Sequence, residues 1–169
     1  MDVVRYCAQE WLDECLRRYP LTPRFQQELQ KLTLVICFRV AADPEWGIEK
    51  DIIFGGEVEK GYLKRLCFFS EDEARQQADF IMAATPQEWK KILRKDNKFL
   101  TDFMVGKITL VQGSKVGVLG VAPHANTFVD VLTQVPLQFP DEMSPLELAA
   151  YRNDAGGGSG RTWGLIQPH

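Results

Sequence analysis

Hydrophobic and polar residues alternate along residues 32–40, and this pattern predicts the clearest β-strand of the chain. Residues 48–54 predict a second strand, and Gly55-Gly56 behind it predicts a hairpin turn. Residues 57–69 begin with the same alternation and predict a third strand. Because the three segments follow one another closely, the pattern predicts a three-stranded meander.

The residues before and after the meander repeat at helical spacing. Residues 1–31 predict two helices, of which the first ends near Arg18 and the second begins at Thr22. The apolar face of the first helix fits packing on the sheet, or alternatively a lid or a partner-binding surface; we favour packing. Ser70 and Ser144 are each followed by Glu three residues later, which predicts a capped helix at both places.

Residues 78–132 contain the elements around which the rest of the chain is organised. Residues 78–84 are short and mostly apolar, which predicts a strand. Thr85 follows as a capping residue, Pro86 suits the first helical position, and Glu88 is placed to reach back to free backbone N–H groups. These residues predict that a helix begins directly after the strand.

A second short helix and another strand complete this region. Phe99 and Phe103 lie at helical spacing, and Gly106 ends the helix that they predict. Residues 108–111 predict a further strand. Gly113 then turns the chain toward a last apolar segment, so that sheet and helix alternate through the whole region.

The order of these segments resembles the sterol carrier protein family, whose members are lipid-binding single domains. The resemblance covers residues 32–132, and four motifs carry it: the strand start Ala78-Asp79, the helix capped by Thr85, the strand GKITLVQG at 106–113, and a closing helix from Ser114. It implies an α+β fold with a five-stranded, largely antiparallel sheet. Helices on one face of this sheet are expected to enclose an apolar cavity.

The resemblance also implies a function. We expect binding and transfer of an apolar small molecule, such as a fatty acyl chain, a phospholipid or a polycyclic lipid, by burial and without a cofactor or metal. For each apolar residue of the region, an ordinary core position is the alternative. The residues expected to bind the ligand are Phe80, Met82, Trp89, Ile92, Leu93, Phe99, Phe103, Met104, Leu110, Val118, Leu119, Phe128 and Leu132.

Length and composition indicate one globular domain. Residues 1–153 form this domain, with the N-terminal helices in 1–31 and the core in 32–136. Residues 154–169 are rich in glycine and predict a flexible linker with a tail that is either disordered or folded back onto an apolar groove.

Charge and hydropathy give no support for several kinds of partner. The net charge of −3 gives no reason to expect nucleic acid or an anionic membrane. No apolar run is long enough to span a bilayer, and the charged N-terminus is unlike a secretory signal. The chain ends Gln167-Pro168-His169, which differs from a peroxisomal address. We therefore expect a cytoplasmic protein, possible as a homodimer.

Candidates for catalysis are few. His124 is the only internal histidine, and with Asp130 it is the best candidate for a base. No Gly-x-Ser-x-Gly motif accompanies it, and the four cysteines lie far apart, without the spacing of a zinc or redox site. An enzyme is less favoured than a carrier. A small enzyme on the same fold is one alternative, and a protein-interaction module using the first helix or the tail at Trp163 is another.

Overall fold

A computed structural model describes residues 2–158 of the protein. The strands are β1 (Val4–Arg5), β2 (Thr33–Val40), β3 (Ile52–Glu59), β4 (Tyr62–Phe69), β5 (Phe80–Ala84), β6 (Thr109–Gln112) and β7 (Leu137–Gln138). The helices are α1 (Gln9–Arg18), α2 (Pro23–Leu29), α3 (Glu71–Gln77), α4 (Pro86–Leu93), α5 (Phe99–Met104), α6 (Lys115–Val121), α7 (Ala125–Leu132) and α8 (Pro145–Asp154). Short 3-10 turns connect several of them.

Five strands form the central sheet, in the order β4-β3-β2-β5-β6. β2, β3 and β4 form the predicted antiparallel meander. β5 lies on the other side of β2 and pairs with it in parallel, from Ile36 beside Phe80 to Val40 beside Ala84. β6 returns antiparallel to β5 and forms the second edge. The prediction of an α+β fold with a five-stranded, largely antiparallel sheet is therefore confirmed.

The predicted hairpin turn at Gly55-Gly56 is wrong. Both glycines lie inside β3, and the chain reverses at Lys60 and Gly61, which have φ angles of 51° and 83°. Two consecutive residues with positive φ are typical of the tight turn that joins antiparallel strands. Gly55 has another purpose, because a Cβ atom there would lie 2.4 Å from the carbonyl oxygen of Ile36 on β2. Glycine lets the two strands approach closely.

The N-terminal region adds a small second sheet that the sequence pattern did not predict. β1 pairs in parallel with β7, and α1 begins only at Gln9 instead of near residue 4. The apolar face of α1 packs against β4 and the core, where Trp11, Leu12 and Cys15 are completely buried. Packing on the sheet, the interpretation we favoured for this helix, is what the structure shows.

Alternate residues of the strands face two cores. Ile36, Phe54 and Met82 belong to the larger core beneath α1, α4, α5, α6 and α7. Cys37 and Ile81 face the opposite side of the sheet, where α3 covers them with Ala74. The helices are thus concentrated on one face, as predicted, with α3 on the other.

The start of the glycine-rich segment belongs to the fold. The N–H group of Gly156 donates a hydrogen bond to the carbonyl oxygen of Cys7 at 2.7 Å. Gly156 is also packed so closely on Ile52 that a Cβ atom would lie 3.0 Å from that side chain. Residues 154–158 therefore differ from the flexible linker predicted for 154–169, and the predicted tail, including Trp163, lies outside the described residues.

Candidate functional site

An apolar cavity lies between the sheet and the short helices. Its floor is formed by side chains of β2, β3 and β5, and α4, α5, α6 and α7 cover it. The volume open inside it is about 50 Å³. Its seventeen lining residues are Tyr6, Ile36, Phe38, Phe54, Phe80, Met82, Trp89, Ile92, Leu93, Phe99, Val118, Val121, Ala122, Ala125, Phe128, Val129 and Leu132.

Trp89 on α4 is an aromatic residue of the lining that is fixed at both its ring and its polar atom. The helix begins at Thr85, whose hydroxyl oxygen accepts a hydrogen bond from the N–H group of Glu88 at 3.1 Å. The indole N–H of Trp89 donates to the carbonyl oxygen of Arg39 at 2.9 Å, and its ring meets Phe38 edge-on at 5.5 Å. With its polar atom satisfied by the sheet, Trp89 contributes an apolar surface to the cavity.

Nine of the thirteen predicted ligand-binding residues line this cavity: Phe80, Met82, Trp89, Ile92, Leu93, Phe99, Val118, Phe128 and Leu132. Phe103 is buried behind the lining, where its ring stacks on Phe99 at 5.8 Å. Leu110 is half-buried and packs against the core from β6. Whether the nine bind a ligand stays a prediction.

Met104 and Leu119 lie outside the cavity, with 58% and 43% of their surfaces exposed. The reason is the geometry of short helices, which present one face inward. Met104 is about 140° around α5 from Phe99, and Leu119 is about 100° around α6 from Val118. The sequence pattern grouped these side chains by hydrophobicity, whereas only the helical angle separates the inner from the outer ones.

Eight lining residues were not predicted: Tyr6, Ile36, Phe38, Phe54, Val121, Ala122, Ala125 and Val129. Ile36 and Phe38 share one face of the predicted strand β2, so alternation contained the signal for them. Ala122 and Ala125 carry no such signal, since small residues near Pro123 resemble a loop. Their short side chains contribute to the space between α7 and the sheet.

A buried pair of carboxyl groups joins α4 to α5 beside the cavity. Glu88 and Asp102 are 8% and 4% exposed. Burial, together with a hydrogen bond to Asp102, raises the pKa of Glu88 above its ordinary value. The hydrogen bond from Glu88 and a second one from Asn97, at 2.9 Å, lower the pKa of Asp102. Of the two carboxyl groups, Glu88 therefore keeps its proton to the higher pH, and Asp102 ionises first.

This pair corrects the predicted role of Glu88. Its backbone N–H is capped by Thr85 as expected, but its side chain turns inward to α5 and does not reach back to the free N–H groups of α4. One of its carboxyl oxygens, Oε2, is buried without a hydrogen-bond partner. The sequence offered no sign of the pairing, because Asp102 lies on a different helix.

Neither of the two candidate bases, His124 and Asp130, lines the cavity. Asp130 accepts hydrogen bonds from Lys95 at 2.7 Å and Arg24 at 2.9 Å, and although partial burial opposes them, they lower its pKa. His124 is half-buried at the start of α7, and no hydrogen bond among residues 2–158 joins it to Asp130. A carboxylate held in two ion pairs is a weak base. The surroundings of Asp130 therefore suit a structural role better than catalysis.

The described residues contain neither a cluster of metal ligands nor a reactive thiol. Within residues 2–158, no three His, Cys, Asp or Glu side chains cluster in a way that could hold a metal ion. The four cysteines are free, and burial raises the pKa of Cys15 and Cys37 to about 12. Thiols of such high pKa are poor nucleophiles. None of the helices described is both long and apolar enough to cross a membrane.

Comparison with known proteins identifies the fold. No protein-family model and no curated protein matches the sequence. A conserved hypothetical protein of Thermus thermophilus, described as possibly a sterol carrier protein, superimposes with a TM-score of 0.69 at 18% identity, over 82% of this chain and 94% of that one.

Two further solved structures agree with this assignment. A crystal structure of sterol carrier protein 2 gives a TM-score of 0.66 at 19% identity, over 78% of this chain and 99% of that one. The apo form of sterol carrier protein 2 from Yarrowia lipolytica gives 0.53 at 12% identity, over 75% and 89% of the two chains. The chain therefore has the sterol carrier protein fold.

Proposed function

We propose that the protein binds an apolar lipid-like molecule in the cavity beneath α4–α7 and transfers it. The class of ligand is a fatty acyl chain, a phospholipid or a polycyclic lipid. The observation that carries the proposal is the lining, in which only Tyr6 and Trp89 have polar side-chain atoms. Since Trp89 gives its N–H to Arg39, the cavity offers mainly apolar surface to a ligand. The names of the similar structures, which refer to sterol carriers, support the same class.

Burial of apolar surface supplies enough free energy for such binding. Each methylene group removed from water contributes roughly 0.8 kcal/mol. An acyl chain of about a dozen carbons would therefore gain on the order of 9 kcal/mol before the cost of immobilising it. Affinity of this origin needs no metal, no cofactor and few polar contacts, which agrees with the chemistry of the lining.

The cavity must widen to accept an acyl chain, and α6 is the element that we expect to move. The helix reads KVGVLGV and contains Gly117 and Gly120. Each glycine in a helix interior is unfavourable by roughly 1 kcal/mol relative to alanine. A short helix of such low intrinsic stability separates from the sheet at small free-energy cost. Its inner residue Val118 would then uncover the cavity beneath.

The test is binding of a fluorescent fatty-acid analogue in the absence of vesicles, with two variants in α7. Ala125 lines the cavity, whereas its neighbour Asn126 is exposed. Ala125→Phe fills part of the cavity and should weaken binding at least about tenfold, since two or more methylene equivalents of space are lost. Asn126→Phe adds the same ring outside and should leave binding within about twofold.

Unlabelled lipid should displace the analogue, and native mass spectrometry should show a co-purifying ligand that is lost on denaturation. Equal binding by wild type and Ala125→Phe would mean that the analogue sits elsewhere. If no member of a panel of acyl chains, sterols and phospholipids binds the wild-type protein, the proposed function is wrong.

A further inference from the structure

Large apolar side chains are exposed mainly on one stretch of the chain, residues 100–119. Nine such residues are exposed among residues 2–158, and four of them, including Val3 and Leu146, are scattered along the chain. The other five fall on α5, on α6 or directly after α5. Val116 is the most exposed of these, at 80%. The five are Leu100, Met104, Val105, Val116 and Leu119.

The same part of the chain is positively charged, although the whole protein carries −3. Residues 97–129 contain a single acidic residue, Asp102, and it is buried against Glu88. Lys98, Lys107 and Lys115 are exposed in this region. The lysine ion pairs found within residues 2–158 involve Lys90 and Lys95. None of the three exposed lysines forms a close ion pair there, although Lys107 acts at longer range on the buried carboxyl groups of Asp102 and Glu88.

These side chains lie on the outer side of the cavity wall. Phe99 on α5 and Val118 on α6 point into the cavity, and their neighbours in sequence, Leu100 and Leu119, are exposed. A ligand that passes beneath α6 would therefore pass close to this apolar and basic surface. Exposed apolar groups and lysines without a close ion pair therefore occur together on α5, on α6 and on the residues next to α5.

We infer that the α5–α6 surface docks on a lipid bilayer that carries anionic headgroups. This surface consists of Lys98, Leu100, Met104, Val105, Lys107, Lys115, Val116 and Leu119. The inference rests on the proposed function, because the bilayer is the source or destination of the carried lipid. Apolar side chains with lysines around them suit the boundary between headgroups and acyl chains, where ammonium groups meet lipid phosphates.

The negative net charge is compatible with such docking because the interaction is local. Charges farther than about 8 Å from the membrane are largely screened at physiological salt. The three lysines act within that distance when α5 and α6 face the bilayer, while an orientation that turns acidic residues toward the bilayer is repelled. A uniformly acidic protein would be repelled by the bilayer, whereas the uneven charge of this protein turns the α5–α6 surface toward it.

Vesicle co-sedimentation of the full chain tests the inference. Wild type should bind vesicles containing about 30% phosphatidylglycerol in phosphatidylcholine, should bind pure phosphatidylcholine far less, and should detach as salt is raised. Replacing all three lysines, in Lys98→Gln/Lys107→Gln/Lys115→Gln, should weaken binding at least about tenfold, because each lysine near an anionic surface contributes about fivefold. Val116→Ser/Leu119→Ser should also weaken binding.

A matched control separates this surface from net charge. Lys31→Gln/Lys50→Gln/Lys64→Gln removes the same charge elsewhere, and Lys64 lies on β4, at the sheet edge opposite β6. This variant should bind anionic vesicles within about twofold of wild type. Equal loss in both triple variants would overturn the inference, and so would failure of the wild type to bind.

Two other occupants of the surface are distinguishable in the same experiments. A dimer in solution that Val116→Ser/Leu119→Ser dissociates, without vesicle binding, would assign the surface to a second copy of the chain and overturn the inference. Binding to polyglutamate but not to vesicles would assign it to an acidic protein, with the same consequence. The vesicle-free assay with the fatty-acid analogue is independent, so the lysine variant should keep its lipid affinity there.

Discussion

The buried carboxyl groups of Glu88 and Asp102 interact with each other, and this contact joins the two short helices beside the cavity. The pKa of Glu88 lies above its ordinary value of 4.5, so its contribution to stability is complete below that pH and is lost as the pH rises through its folded value. The pKa of Asp102 lies below 3.8, so its contribution is lost as the pH falls through its folded value. The pair stabilises the fold best near pH 4.

Glu88→Gln tests this relationship. The amide can still donate a hydrogen bond to Asp102, but it never carries the buried negative charge that Glu88 would acquire at high pH. At pH 8 we expect the variant to be more stable than wild type by about 1 kcal/mol, or roughly 2–4 °C in Tm. The difference should shrink toward pH 4.

Thermal unfolding followed by circular dichroism between pH 4 and 8 measures the effect. Glu59→Gln, at the exposed end of β3, is the control and should track wild type across the range. A Glu88→Gln variant that is less stable than wild type at pH 8 would show that the ionised carboxylate stabilises the fold.

Thr85→Ala should destabilise the protein by roughly 0.5–2 kcal/mol, because the hydroxyl that caps α4 at the N–H group of Glu88 is lost. Chemical denaturation measures the change in the free energy of unfolding. Thr101→Ala removes the same atoms at an exposed position of α5 and should change the stability little. Equal effects of the two substitutions would mean that capping is unimportant for α4.

Gly55→Ala should destabilise the protein by roughly 1–3 kcal/mol, whereas Gly56→Ala should be tolerated better. The added methyl group at position 55 would meet backbone atoms of β2, which have no room to move. At position 56 the nearest atom is 3.3 Å away and belongs to the mobile end of Leu63. The same denaturation experiment compares the two variants, and a larger loss at Gly56 would contradict the close approach of β2 and β3.

Gly120→Ala should stabilise α6 by roughly 1 kcal/mol, since nothing lies within 4 Å of the added Cβ atom. Gly117→Ala should not share this gain, because its Cβ atom would lie 2.8 Å from the ring of Phe80 on the cavity floor. If α6 opens for lipid uptake, Gly120→Ala should also slow the association of the fatty-acid analogue in stopped-flow measurements. Faster or unchanged association would place the opening elsewhere.

The fold was largely predictable because its signals are local. The alternation in β2, the cap at Thr85 and the capping boxes at Ser70 and Ser144 all act within a few residues, and the structure contains each of them. The predicted hairpin at Gly55-Gly56 was wrong because a pair of glycines is ambiguous as a local signal. Glycine permits a turn, but it also permits close packing of strands, which depends on a partner strand.

The candidate site was half predictable. Strongly apolar residues at helical spacing identified Trp89 and Phe99, but the inner and outer faces of α5 and α6 depend on how each helix is rotated on the sheet. Ala122 and Ala125 matter through the space they leave, for which hydropathy has no signal. The pairing of Glu88 with Asp102 depends on two helices meeting, and local sequence does not encode that.

The parallel pairing of β5 with β2 has a consequence for how the chain folds. The meander β2–β3–β4 joins neighbours in sequence, so its loops close at little entropic cost. β5 reaches β2 only after the chain has passed through β3, β4 and α3, and such non-local contacts form slowly. We therefore expect the meander to form early and to wait, with Ile36 and Phe38 uncovered, until β5 docks beside it. The cavity would then be the last part of the molecule to take shape, and a lipid present at that moment could be enclosed as the chain folds.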